Sequence, residues 1–248
     1  MNNSCLDEFY ARKEIWKRKP QIRLVYKCWI EKIKRFLVEG LLLEVGSGSG
    51  LIKDFFPEIV LSDIVHVPWI NLVSNCMDMP FHEGTFGGII SLDLLHHVKQ
   101  PHVFLKESAR ILRPGGRIFL IEPYITWASY LGYKLLHHED IYFKDYHRLG
   151  LVQKDDPWKG NLALANIVFR RDLKYWHMFQ PDLDIIHREI LSLLDFQGAA
   201  GFKPHAYIPY IIFKYLVKMD DWISFLMPLF GFRIFIVLKK KCSNPVPL

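Results

Sequence analysis

The sequence predicts an α/β protein built on a doubly wound parallel sheet with helices on both faces. Three observations lead there. Short apolar runs alternate with helical stretches over residues 41–121, the first of these runs ends in a cluster of glycines, and a single core is well supplied. Half of the 248 residues are hydrophobic and 23% are charged, which also excludes global disorder.

Residues 21–37 read as an amphipathic helix. Ile22, Val25, Trp29, Ile30, Ile33 and Phe36 recur at three- and four-residue spacing, Pro20 suits the first turn and Gly40 lies just past the end. Leu41–Val45 is the first strand, and a helix starts at Leu51–Phe56 after the glycines. Ile59–Leu61, Asn71–Val73, Gly88–Leu92 and Arg117–Ile121 supply four more strands. Pro101–Leu112 is the clearest helix between them, opened by Pro101 and closed by Pro114-Gly115-Gly116. After Pro123 the alternation stops. Residues 125–181 are aromatic and turn-rich, an insertion expected to cover the ligand edge of the sheet. Asp184–Ile190 returns as a sixth strand, Tyr210–Val217 and Asp221–Leu229 are apolar helical segments, and Phe232–Leu238 is the last strand. The expected organisation is therefore cap helices over 1–40, a ligand-binding core over 41–124, the insertion over 125–181, and 182–248 completing the same domain.

Cys5, Cys28, Cys76 and Cys242 form no CxxC pair, which argues against a disulfide framework or a cysteine zinc site. Charges in MNNSCLDEFYARKEIW stand where a secretion signal needs an apolar run, so a cytoplasmic location is expected. The nearest approach to a membrane span, Trp222–Leu238, is interrupted by Pro228, Gly231 and Arg233. A net charge of +6 with 15% aromatic residues leaves surface contact with anionic lipid, nucleic acid or an acidic substrate open.

The glycine loop carries the chemistry. In LLLEVGSGSG, Leu41–Gly50, an acid ends a strand and glycines follow at E-x-G-x-G-x-G spacing. A dinucleotide-binding turn needs a third glycine where Leu51 stands, and no Lys-Ser/Thr pair makes a P-loop. This spacing resembles the first motif of class I S-adenosylmethionine-dependent methyltransferases, and the resemblance continues through Pro123. Asp63 stands nineteen positions after Glu44, where the family's acid takes the ribose hydroxyls. Asp78-Met79-Pro80-Phe81 matches the segment in which an Asp meets the adenine amino group. Leu94-Leu95-His96-His97-Val98 looks like the exit of the fourth strand, and Arg110–Arg117 is similar to the RxLxPGG turn into the fifth. One departure is Phe86-Gly87-Gly88, where the family usually has an Asp after the Phe.

The resemblance implies a Rossmann-like methyltransferase sheet and S-adenosyl-L-methionine as cofactor. The cofactor-binding set it implies is Glu44, Gly46, Ser47, Gly48, Gly50, Asp63, Ile64, Asp78, Met79 and Asp93. Methyl transfer from a sulfonium is an in-line displacement that needs mainly alignment, with a base only for a hydroxyl or protonated amine. His96 and His97, at the sheet edge where ligands bind, are the candidates for that base, packing of the following segment being their structural alternative. His137, His138 and Asn161 on the insertion are candidate substrate contacts. Adjacent histidines point to different faces of a regular element, so His137-His138-Glu139-Asp140 makes no HExxH-type pair. A metal site would need ligands from elsewhere, for which His96, His97 and His147 are candidates without a spacing rule; no metal is expected, and substrate contact or local hydrogen bonding is the expected role of the run. The insertion and C-terminal segment also resemble a subgroup of uncharacterised bacterial methyltransferases, through that histidine pair with its acid, Gly160-Asn161 and Gly198–Phe202.

The expected acceptor is a small molecule, a lipid or a lipid-linked sugar. The C-terminal aromatic and basic segment suits either packing on the sheet as core or peripheral contact at the inner membrane surface. Nucleic-acid methylation is the enzymatic alternative, but Ser91-Leu92-Asp93-Leu94 stands where an Asn/Asp-Pro-Pro-Tyr motif would, and no basic nucleic-acid module is visible. A cofactor-binding interaction protein without turnover is the non-enzymatic alternative.

Overall fold

The computed structural model describes residues 3–136, 139–144 and 160–242. Two helices lead the chain, α1 (Asn3–Arg18) and α2 (Pro20–Lys34). Pro20 occupies the first turn of α2, and Ile22, Val25, Trp29, Ile30 and Ile33 are all buried on its core face. Then come β1 (Leu42–Val45), β2 (Val60–Asp63), β3 (Leu72–Val73), β4 (Phe86–Leu92), α3 (Pro101–Ile111) and β5 (Leu112–Pro123). The insertion opens with α4 (Trp127–Leu136), and β6 (Leu183–Leu191), α5 (Tyr210–Trp222), α6 (Met227–Phe230) and β7 (Arg233–Lys240) complete the fold.

The seven strands run in the order β3-β2-β1-β4-β5-β7-β6. The pairs from β3 to β5 are parallel, whereas β7 is antiparallel to both β5 and β6. Strands buried on both faces alternate between two cores. Ile118 and Leu120 of β5 join one core with Phe104 and Leu105 of α3, while Phe119 and Ile121 join the other with Trp29 of α2 and Phe213 of α5.

Several expected boundaries move for identifiable reasons. The helix expected over Leu51–Phe56 is a single 3-10 turn, Leu51–Asp54, with Pro57 close behind it. β5 starts earlier than expected, because Leu112 pairs with Phe86 and Arg117 with Gly88 while Pro114-Gly115-Gly116 bulges between them. The second C-terminal helix is split, since Pro228 can sit only in a first turn; a 3-10 turn at Ser224–Leu226 precedes α6. Gly87 explains the missing Asp after Phe86. A Cβ there would lie 2.2 Å from the Glu39 carbonyl oxygen, so only glycine lets β4 begin against that loop.

At the turn Asp195–Gly198, the backbone N–H groups of Leu193, Leu194 and Asp195 all donate to the Asp220 carboxylate of α5. Burial, with the Asp220 charge beside it, pushes the Asp195 carboxyl up to about 7. The folded protein therefore holds a proton that the unfolded chain releases near pH ~4. The stabilisation it brings is complete below that pH and is lost as pH rises towards 7. Urea unfolding at pH 5 and pH 8 is expected to show a smaller loss in Asp195→Asn than in the parent; equal losses would contradict the assignment.

Candidate active site

The glycine loop is a rigid cradle made by backbone. Gly46 and Ser47 donate N–H groups to the Ser62 carbonyl at 2.9 and 3.0 Å, and the Ser47 hydroxyl bonds to Glu44 O and Ser62 O, tying β1 to β2. Gly48, at φ +47°, donates its N–H to Asp63 Oδ2 at 2.7 Å and accepts the Trp69 indole N–H at 2.8 Å. A Cβ on Gly48 would approach the Phe9 ring of α1 to 3.1 Å, so α1 closes directly over the loop. Gly50 sits at the helical turn that follows, its N–H bonded to Ser47 O.

Glu44 is buried, and its Oε2 has no hydrogen-bonding partner among the described residues. Burial raises its carboxyl well above the usual carboxylate range. Asp63 ends β2 with its Oδ1 on the Val65 N–H at 2.9 Å; burial pushes its carboxyl up, against the Val65 and Gly48 N–H bonds. Ile64 is exposed beside it. Asp78 is exposed in a turn closed on Asn75, whereas Met79 is buried in the core, its backbone held by Glu107 and Arg110.

The exit of β4 is organised by a residue the sequence reading did not select. Glu122, at the end of β5 and 0% exposed, takes the N–H groups of Leu94 and Leu95 at 3.0 and 2.8 Å on Oε1, and His96 Nδ1 at 2.7 Å on Oε2. His96 Nε2 faces Glu139 Oε2 of the insertion at 3.4 Å. Burial disfavours the His96 charge, but Glu122, Glu139 and Asp93 outweigh it and raise its pKa. His97 is half-buried beside it, with the two ring centroids 4.0 Å apart. Asp93, at φ +54°, is paired with Arg233 of β7, whose guanidinium also lies over the rings of Trp29 and Phe196. Despite burial, Arg233 and His96 hold the Asp93 carboxyl below its ordinary value.

Asn161 ties the insertion to this exit. Its N–H donates to the His96 carbonyl at 2.8 Å, and its buried amide both accepts from and donates to the Tyr142 backbone at 2.9 Å. Asn166 makes the same two-way clasp on Ile125. The Asn161 side chain is thus spent on internal hydrogen bonds, while His137 and His138 lie outside the described residues. Glu122, Arg233 and Asn166 were missed; an acid ending the apolar run RIFLIEP and an arginine opening RIFIVL were the available signals.

The cradle and its acids suit a cofactor with an ammonium and a ribose. A buried acid has an oxygen to spare, and glycine backbone with positive φ borders Asp63. Residues 43–120 match the family model described as a methyltransferase domain. An uncharacterised protein of Methanocaldococcus jannaschii is 26% identical over 66% of this chain and 82% of its own length. The ubiquinone biosynthesis O-methyltransferase of Xanthomonas oryzae is 29% identical over 34% of this chain, and the match takes in only 43% of that enzyme. Among solved structures, a SAM-dependent methyltransferase from Archaeoglobus fulgidus shares the fold with a TM-score of 0.52 at 13% identity, covering 89% of this chain and 94% of that one.

Proposed function

We propose that this chain is a class I S-adenosylmethionine-dependent methyltransferase, a reading supported by the methyltransferase-domain match over residues 43–120, and that its acceptor is a lipid or lipid-linked molecule met at a membrane surface. S-adenosylmethionine supplies an electrophilic methyl group on sulfur. For this chain's part, Glu44, the Gly46–Gly50 backbone and Asp63 hold the cofactor, and the His96–His97–Glu139 cluster faces the acceptor. Hydroxyl methylation is supported by two relatives, the ubiquinone biosynthesis O-methyltransferase and the Arabidopsis thaliana tocopherol O-methyltransferase, matched over 43% and 15% of their own lengths.

One observation carries the choice of acceptor. Helix α5 buries Phe213, Val217 and Asp220 and turns Ile211, Tyr215, Met219 and Trp222 outwards, a second apolar stripe at helical spacing on the side away from the core. Trp222 is 83% and Phe225 77% exposed. Helix α4 shows the same inversion: Trp127 is 86% exposed, Leu131 and Leu135 continue its stripe, and α4 packs beside α6. Lys214 and Lys134 lie against Tyr215 and Tyr130 along these stripes, and Lys218 stands one residue from Met219. Outward aromatic and aliphatic side chains edged by lysines are the composition of an interfacial surface. Among the described residues no helix is long and apolar enough to cross a membrane.

Flotation with anionic vesicles is expected to carry the protein, with binding falling as salt rises. Lys214→Ala with Lys218→Ala should weaken it by ~30-fold at about 1 kcal/mol per cation, and Trp222→Ser with Ile211→Ser should abolish it. Methyl label from S-adenosylmethionine incubated with a cell extract is expected in the organic-solvent phase. Label confined to nucleic acid or protein, or a protein that floats with no vesicle, would overturn the reading.

A further inference from the structure

We infer that His96, His97 and Glu139 form a binding site for a divalent transition-metal ion, with zinc as the ion that suits the donors. One potential ligand atom from each of the three lies within 4.8 Å of the others. Two donors bound to one tetrahedral ion at 2.0–2.1 Å stand about 3.3–3.4 Å apart. His96 Nε2 and Glu139 Oε2 are 3.4 Å apart, too long for a strong direct bond between charged groups and the separation an intervening ion sets.

The surroundings of His96 point the same way. A metal-binding histidine typically donates its second ring N–H to a carboxylate, which fixes the tautomer and aims the other nitrogen. Glu122 does this, taking Nδ1 at 2.7 Å while its own position is fixed by the N–H groups of Leu94 and Leu95. Nε2 is thereby directed at Glu139, on a segment anchored to the same strand exit by Asn161 N–H on the His96 carbonyl. Two imidazoles and one carboxylate are a donor set of open, catalytic-type sites, in which a fourth position is left for water or a substrate oxygen. The sequence reading expected no metal because His96, His97 and His147 offered candidate ligands with no spacing rule to join them to the 137–140 run; the fold is what brings residues 96–97 and 139 together.

The site stands independently of the acceptor's identity, and its test needs no activity. The purified full-length protein is treated with chelator, desalted and titrated with Zn2+ against a chromophoric competitor, and in parallel with Co2+. One equivalent of Zn2+ is expected to bind, with the strong visible absorption of tetrahedral cobalt in the Co2+ form. Glu139→Gln and His96→Ala should each weaken Zn2+ binding by ~100-fold or more, beyond the roughly 10–100-fold of an outer-shell change. Glu139 is partly exposed on the insertion, so its variant keeps the test valid should His96→Ala fail to fold. Absence of stoichiometric binding, or a Glu139→Gln protein with parental affinity, would leave a proton-sharing cluster of two carboxylates and an imidazole and overturn the proposal.

Discussion

Replacing Glu122 by alanine is expected to cost at least about 3–5 kcal/mol of folding stability, the range for removing one partner of a buried charged pair. The change removes the acceptor of the Leu94 and Leu95 N–H groups and of His96 Nδ1 in one step, at a residue with no exposed surface. Unpaired buried donors carry their full desolvation cost. Glu122→Gln keeps an oxygen for the two backbone donors but meets Nδ1 with an amide, so it should fall between parent and alanine. Urea unfolding gives both values. An alanine variant within 1 kcal/mol of the parent would show that the β4 exit does not depend on this carboxylate.

Asp63→Ala is expected to lower affinity for S-adenosylmethionine and its demethylated product by ~10- to 100-fold, equivalent to about 1.4–2.8 kcal/mol. Two effects combine. The variant removes the carboxylate proposed to accept the ribose hydroxyls, and it frees the Gly48 N–H that Asp63 Oδ2 holds at 2.7 Å. Gly48→Val should act through the loop alone, since φ +47° is strained for a branched residue and its Cβ would press on Phe9. Calorimetry on variants with parental circular dichroism checks both, and unchanged affinity in the pair would move the cofactor elsewhere.

What could be read from the sequence was what lies close together along it. The β1–glycine–turn unit, its acid at Glu44 and the acid nineteen positions on at Asp63 are local spacings, and backbone geometry converts them directly into a loop bonded to a neighbouring strand. Residues 21–37 were legible as a helix for the same reason, although the helix ends at Lys34. The polar centre at the β4 exit was not legible. It unites His96 with Glu122, Glu139 and, through Asp93, Arg233, and only the pairing of β5 with β4 and β7 brings them together. Asn161 shows the converse: a polar residue on a covering loop suggests a ligand contact from sequence alone, and in the fold its amide bonds the Tyr142 backbone. The outward stripe of α5 was visible as apolar sequence, yet which face the sheet would bury is a tertiary fact.

The strand order also sets a timetable for making the protein. Because β7 lies between β5 and β6, the β5 edge remains unpaired until the ribosome has delivered residue 240, long after the parallel half from β3 to β5 has emerged. β6 emerges before it with no neighbour to join. Throughout that interval the nascent chain offers a bare, strongly apolar strand edge, the feature most prone to pairing with another chain. The Asp93–Arg233 ion pair forms only when β7 arrives, so the β4 exit is completed by the latest in chain order of the seven described strands. A chain truncated before β7 should therefore recruit chaperones and aggregate, whereas one that extends through Lys241 should close its sheet once it leaves the ribosome.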